Sequence, residues 1–539
     1  MGAQRRPPPA LPHDARRRPD AVSGQPRHQA GPRGPEARAL ALIVSGRPAR
    51  PAGAARNTLY ALLTQLSTAA FTAALTIYLV RALGPLEFGI FSLAVSVGAL
   101  VFLPSDFGIS NATARFIAER AGDRAGIAAL MADAVRLKLI ISGAISAVLI
   151  ALAGPIADAY GQPPLAWPIR WVAVAVLFQS IVAFYRYAFI AQREAVRGLQ
   201  IVFTEAAVET AASILLVVGV GGASAAAAGR ATGYAVGTAA ALVVTVRALG
   251  PAAFRRAHGL ADARRRVARY AGALFLIDAA FTVAVQASPL LIGAFIGPTA
   301  VGFFQAPARL IVFLQYFGGA VASGVAPGLA RREGHEPEAE TFGRALRYLV
   351  VFQALLVAPA LVWAKPIVHV ALGHGYERSA DVLRALTPYI YVSGMAATVA
   401  VGVNYLGEAR RRVPLALLDV AVGVGLTAAL LPTIGLLGAA YASDIGAFLY
   451  VPLHIWIIRK FIRLPLRPLF LAALRGLLAA AAMAGVLLLF GTSHLSVVDW
   501  IAGAVLGFAA FIAVLLATRE VTIAELVALP RWIQARKRR

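Results

Sequence analysis

Beyond residue 56 the chain is a succession of apolar runs, each about twenty residues long and interrupted by short polar breaks. An α-helix of that length crosses the hydrocarbon core of a bilayer, about 30 Å at 1.5 Å per residue. The runs fall near 57–80, 87–108, 137–157, 169–190, 200–220 and 224–247, then near 271–293, 301–327, 345–367, 382–404, 413–431 and 436–457, and finally near 470–490 and 499–518. They predict an all-α integral membrane fold of about fourteen spans, grouped as six, six and two.

The breaks alternate in kind. Odd-to-even links are almost bare, as at Gly221-Gly222, Gly297–Thr299 and Thr433–Leu436. Even-to-odd links are basic: Arg115/Arg120/Arg124, Arg193/Arg197, Arg247 through Arg269, Arg331/Arg332, Arg410–Arg412 and Arg459/Lys460/Arg463. Basic loops stay in the cytoplasm, so both termini are expected there, in an inner (cytoplasmic) membrane. Trp167, Trp171, Trp363 and Trp500 then sit at outer ends, as an interfacial aromatic belt would place them.

One phrase occurs twice. ALGPLEFGIF (Ala82–Phe91) and FIGPTAVGFF (Phe295–Phe304) match at Gly84/Gly297, Pro85/Pro298, Gly89/Gly302 and Phe91/Phe304, a shift of 213 residues. Pro155-Ile156 falls on Pro366-Ile367 at 211, and Gly222-Ala223 on Gly438-Ala439 at 216. The chain therefore reads as a duplicated half: a lobe over 57–247, a basic linker at 248–270, a second lobe over 271–458, and two added helices within 459–518. Six spans is an even number, so both copies enter the membrane in the same sense. Parallel repeats of this kind make two facing lobes with a cleft between them, the geometry of alternating-access transporters.

Composition narrows the class. Hydrophobic residues make up 59% of the 539 and charged ones only 14%, where a soluble domain has about one-quarter charged; the mean hydropathy is +0.72. The net charge of +25 is spread over loops with no nucleic-acid-binding motif, so no nucleic-acid partner is expected. With no cysteine, disulfide, thiol and Cys-ligated metal chemistry is excluded. His369 and His374 lie in an outer connection without companion Cys or clustered carboxylates, so no metal and no cofactor is expected. Residues 1–56, rich in Pro and Arg, read as a disordered cytoplasmic tail. The basic end, 519–539, includes LVALPRWIQARKRR (Leu526–Arg539), a short amphipathic segment drawn to anionic phospholipid.

LVRALGPLEFGIFSLAVSVGALVFLPSDFGISNATARFIAE (Leu79–Glu119) resembles the first two helices of the polysaccharide transporter family. So does ALGHGYERSADVLRALTPYIYVSGMAATVAVGVNYLGEARRRVP (Ala371–Pro414), followed by LLPTIGLLGAAYAS (Leu430–Ser443), resemble a later part of it. That family holds the O-antigen and exopolysaccharide flippases of the multidrug/oligosaccharidyl-lipid/polysaccharide superfamily, and the likeness covers about 57–518. It implies a transporter of lipid-linked oligosaccharide, not an enzyme, with twelve or fourteen spans. Spans 1, 2, 7 and 8 would line the cleft and spans 5 and 6 lie at its back.

A charge at mid-bilayer costs at least about 2.5–3.5 kcal/mol, so those present call for a reason. They are Glu205 and Glu209 in span 5, Arg230 in span 6, Asp278 in span 7, Arg309 in span 8, Asp419 in span 11 and Asp444 in span 12. At a shift of 214 Glu205 falls on Asp419 and Arg230 on Asp444; at 213 Gln65 falls on Asp278. The repeat thus shares polar positions but not charge sign. Glu209 and Arg230 are expected to pair between two helices of one lobe. Asp278 and Arg309 differ in depth by roughly 6 Å from the helical rise, which two side chains can bridge. Under the resemblance they face the cleft with Gln65, Gln305 and Gln315, beside Pro307. An Arg there suits a diphosphate, whose oxygens its planar fork binds in pairs. A carboxylate could take a coupling H⁺ or Na⁺; the membrane potential is the other available driving force.

Three rival readings stand beside the flippase. A cation-coupled multidrug exporter of the same superfamily usually stops at twelve helices, and a lipid II flippase is a nearer relative. A membrane glycosyltransferase or polymerase needs a large outer loop or an acidic metal motif, whereas the longest outer connections here, 158–168 and 368–381, hold about a dozen residues. A polysaccharide polymerase or export machinery would instead be a partner.

Overall fold

The first helix, α1 (Pro51–Asp106), counts 56 residues, and its apolar part, Leu63–Asp106, would measure about 66 Å as a straight rod. That is twice the thickness of a membrane core, so the helix has to break. It breaks at Gly84 (φ 69°, ψ 175°), a conformation open almost only to glycine. Pro85 follows and, lacking an amide hydrogen, suits the first position of the next helical stretch. The second copy repeats the device: Gly297 (φ 118°, ψ 173°) precedes Pro298, the first residue of α8 (Pro298–Val325).

The computed structural model describes residues 51–120, 122–250, 261–330, 338–493 and 495–522. By internal packing the chain divides into Met1–Arg56 and Asn57–Arg539, and the packing described below is all within the second unit. Most of the expected N-terminal tail, residues 251–260 of the expected linker and residues 523–539 lie outside the described residues.

After α1 come α2 (Ile109–Glu119), α3 (Arg124–Ala159), α4 (Ala166–Ala191), α5 (Ala195–Gly219), α6 (Gly222–Leu249) and α7 (Ala261–Phe295). After α8 follow α9 (Ala339–Val362), α10 (Ala364–Leu372), α11 (Glu377–Ala385), α12 (Thr387–Tyr405), α13 (Arg412–Ile434), α14 (Leu436–Arg459), α15 (Leu466–Leu489) and α16 (Val497–Ala517). Among the described residues all regular structure is helical. Among the described residues ten segments are long and apolar enough to cross a membrane, or eleven if α11 and α12, bent 58° to each other, make one broken span, against the fourteen runs read from the sequence.

Several boundaries differ from the sequence expectation. The second apolar run stops at a backbone break, Phe107-Gly108, with φ of 43° and 68°; the short α2 follows it. α3 starts thirteen residues before the apolar run at 137, because Asp123 caps it by accepting from the Gly126 N–H, 2.8 Å away. At the α11–α12 bend, Asp444 reaches over from α14 and accepts from the Tyr389 N–H, 2.9 Å away. A carboxylate at a helix start satisfies an otherwise orphaned donor and complements the dipole. The buried Asp444 thus has a capping task in this structure.

One aromatic residue sits where sequence did not place it. Trp363, expected in the outer belt, is 2% exposed and packs edge-on against Trp500. Tyr185, near the end of α4, is buried and packs against Phe184.

A glycine stripe fastens α5 to α6. Gly229, Gly233 and Gly237, spaced four apart on α6, face Ser213, Glu209 and Glu205 on α5, and a Cβ on any of the three would lie closer than 3.0 Å to those residues. Small residues at this spacing let two helix backbones touch inside a membrane. Across the stripe Arg230 donates to Glu209 at 2.7 Å and to the Tyr234 hydroxyl at 3.2 Å. We expect Gly233→Val to cost about 1–3 kcal/mol, as forced overpacking does. Thermal unfolding of the purified protein checks this, and an unchanged melting temperature would refute the close-packing account.

The two last helices are tied to the second half by one acid. Glu520, 2% exposed, accepts from Arg347 of α9 and from Arg475 of α15. Both cations are partly exposed and the acid is not, so the pairing removes an otherwise uncompensated buried charge.

Candidate functional site

Among the described residues three large apolar cores divide the chain in a way that locates a seam. One holds only first-half residues, from Ile109 to Ala241. Another holds only later residues, from Leu329 to Leu515. The third is built from both halves: Leu79, Phe88, Leu93, Ala153, Val172 and Ala226 from the first, with Ile292, Val301, Phe304, Leu372, Tyr376 and Ala440 from the second. Every segment in the shared core flanks one of the odd-to-even links, so the halves are fused at the Gly-Pro end. Toward the basic-loop end each half packs on itself.

The repeated phrase makes that fusion. A Cβ on Gly89 would run into the carbonyl oxygen of Pro298, and a Cβ on Gly302 into that of Pro85. Each copy's second glycine receives the other copy's proline carbonyl. The contact is reciprocal, as a two-fold relation between the copies requires.

Further bonds cross the seam at the same end. Arg81 donates to the carbonyls of Val370 and Ala371, the latter at 3.2 Å from Nε. It caps the last turn of α10, where a cation is favoured. The Tyr376 hydroxyl donates to Val80 O at 3.1 Å, and Tyr160 to Leu290 O at 3.4 Å. On the other side of the same turn, Glu87 accepts from the Ala223 N–H at the start of α6, 2.7 Å away.

At the opposite end the halves meet more lightly. α2 packs against α7, and the Phe107 ring lies 4.8 Å from that of Phe275. Phe107 is the residue with positive φ, held at the break between α1 and α2. Beneath it, the fully buried Lys138 of α3 pairs with Asp106 and donates to Ser110 Oγ at 2.9 Å, while Ser110 also donates to Asp106. Ser142 and Ser180, 2.9 Å apart, both donate to Ser105 O. Sequence reasoning missed this cluster, because Asp106 and Lys138 stand at the ends of apolar runs and pass for solvated. Opposite charges at one end of consecutive spans were the available signal.

The residues expected to line a cleft are distributed as follows. Arg309 and Gln305 are half-buried on α8, and Arg309 is not without a partner. Shared-core residues of α8 run from Ala300 to Ile311, so Arg309 lies at the inner margin of the fused region, where the seam begins. Gln65 is exposed on α1. The side chains of Asp278 and Gln315 lie outside the described residues. Glu205 is buried against Gly237, and Asp419 lies near Gly446 of α14. Neither Glu209–Arg230 nor Asp419 and Asp444 belong to the contacts across the seam described here.

This geometry can be set beside known proteins. Residues 54–331 match the family model described as polysaccharide biosynthesis protein. The chain belongs to that family. No curated protein sequence matches it. Among solved structures, this polysaccharide biosynthesis family member superposes on one described as lipid II flippase MurJ in an inward closed conformation, with a TM-score of 0.70 at 12% identity, covering 86% of this chain and 99% of the other. A multidrug resistance MATE family transporter of the MOP superfamily, inward-facing, gives 0.59 at 15% identity over 74% and 98%. The MATE transporter DinF-BH in complex with R6G gives 0.57 at 14% over 76% and 96%. Such low identity speaks to fold alone. The family member has a MurJ- and MATE-like transporter fold and is a multi-pass membrane protein.

Proposed function

We propose that this protein moves a polyprenyl-pyrophosphate-linked oligosaccharide from the cytoplasmic to the outer leaflet of the inner membrane by alternating access. The task is a step in the biosynthesis of a surface polysaccharide such as O-antigen lipopolysaccharide or exopolysaccharide. The observation that carries the reading is the seam: one core common to both halves at the Gly-Pro end, and separate cores beyond it. Two bodies joined at one end can rock about that junction, and the load enters from the other.

On the positive-inside rule the basic loops face the cytoplasm, so the Gly-Pro end faces outward and the state described here is closed outside. In the cycle the pyrophosphate-sugar head group enters between the halves from the cytoplasm while the polyprenyl tail stays in lipid. Arg309, at the margin of the fused region, takes the phosphates; Gln305, Gln315 and Gln65 offer hydrogen bonds, and Asp278 holds Arg309 or takes the coupling ion. Glu205, Glu209, Arg230, Asp419 and Asp444 are further candidates for coupling to H⁺, Na⁺ or the membrane potential. The chemistry is transport, with no bond made or broken. The expected partners are a lipid-linked oligosaccharide and anionic phospholipids, with a polymerase downstream.

Arg309→Ala should insert normally and lose most transport, about a hundredfold if a charge-assisted bond of 2–3 kcal/mol is removed. Flipping of a fluorescent polyprenyl-pyrophosphate glycan in proteoliposomes measures this. Wild-type flipping by the variant overturns the role of Arg309.

A second reading is favoured by one observation, the likeness in fold to a lipid II flippase. Lipid II carries the same polyprenyl-pyrophosphate group, so depletion in the host separates the two: arrested peptidoglycan synthesis supports lipid II, and loss of surface polysaccharide supports the first.

A further inference from the structure

The end of α10 and its connection to α11 bring together two imidazoles, His369 and His374, at which the sequence alone predicts no metal. Nε2 of His369 lies 3.3 Å from Nδ1 of His374, with ring centroids 4.5 Å apart and planes at 82°. Gly373 and Gly375, both at positive φ (87° and 88°), bend the chain tightly enough to fold His374 back over the end of α10. Both imidazoles are exposed, so a solvated ion can reach them.

Two nitrogens bound to one tetrahedral Zn²⁺ at about 2.0–2.1 Å stand about 3.3 Å from each other. The apo spacing already equals that chord. The two nitrogens are also within hydrogen-bonding distance of each other, so a metal would replace that contact, each ring turning until its lone pair faces the ion. Glu377 sits close enough to interact electrostatically with both imidazoles, and its Oε1 is held by the Gly375 N–H at 3.1 Å. It supplies negative charge beside the pair, and the Arg81 side chain lies by Gly373, between the two histidines in the chain. No group of three or more metal-binding side chains occurs among the described residues, so water would complete the shell.

We propose that His369 and His374 chelate a divalent transition-metal ion, with Zn²⁺ as the best-fitting geometry. The ion would staple the end of α10 to the start of α11. The same turn of α10 presents the Val370 and Ala371 carbonyls that Arg81 holds from the first half. A metal at this place would therefore stiffen the closed seam. The binding site itself stands whether or not the protein flips a lipid.

The test is isothermal titration of the purified full-length protein, stripped with chelator, with ZnCl₂ as the probe. We expect a Zn²⁺-binding event that H369A and H374A each weaken at least about tenfold, as loss of a ligand or its support does. Excess Mg²⁺, which prefers oxygen ligands, should not compete. Melting curves without metal establish that the variants are folded. Equal Zn²⁺ affinity and stoichiometry in wild type and in the H369A/H374A double variant would overturn the proposal.

Discussion

Gly89→Ala and Gly302→Ala should each force open the Gly-Pro end of the molecule. The added methyl would meet a backbone carbonyl, Pro298 O in one case and Pro85 O in the other. A side chain could swing aside, whereas a carbonyl at the start of a helix moves only with the helix. Overpacking of this kind costs about 1–3 kcal/mol. A penalty near the top of that range, about 2–3 kcal/mol against the closed seam alone, shifts its equilibrium roughly 30- to 150-fold. The chain has no cysteine, so a single cysteine at Val301, which is 0% exposed in the shared core, reports on opening through its reaction with a membrane-impermeant maleimide. Labelling should rise in both variants. Because both residues press on one interface, their combined effect should fall short of the sum. Gly143→Ala, where a Cβ meets nothing within 4 Å, should leave labelling unchanged. If Gly89→Ala and Gly302→Ala label no faster than wild type, the reciprocal clasp is not what holds the halves together.

The second large effect belongs to Lys138. Lys138→Met leaves Asp106 without its ion partner, and Asp106→Asn leaves a fully buried ammonium without its counter-charge. Removing one member of a buried pair costs about 3–5 kcal/mol, while replacing both is far milder. Each single variant should therefore melt well below wild type, and the Asp106→Asn/Lys138→Met pair should recover most of the loss. Detergent-phase thermal unfolding of all four proteins closes the cycle. A double variant that equals the sum of the singles would mean that the two residues do not act as a pair. The consequence reaches past stability, because Asp106 directly precedes Phe107, whose ring touches Phe275 of the other half. A loosened pair should also loosen the light contact at the basic-loop end.

Much of this protein could be read from its order of residues. Apolar runs of spanning length, bare and basic breaks in alternation, and a phrase repeated at 213 residues sufficed for a helical membrane protein built from two related halves. These are local properties: length sets whether a helix can cross, and Gly-Pro sets where it must stop. The pairing of Glu209 with Arg230 was legible too, since adjacent spans joined by two glycines leave their charges few places to go. What could not be read was contact between segments far apart. Nothing in ALGPLEFGIF says that its second glycine meets the proline carbonyl of the other copy, or that Arg81 reaches α10 and not Glu87. Lys138 looked like an interfacial cation until α3 proved to begin at Arg124 and buried it. His369 and His374, five residues apart, met only because two glycines fold the chain between them. The sequence alone determined that the chain is a series of helices of spanning length and that Gly-Pro stops two of them, because those depend on the residues within one segment. The tertiary structure alone decided which carbonyl faces which glycine and which charge finds which partner, because those depend on how two copies of one half pack together.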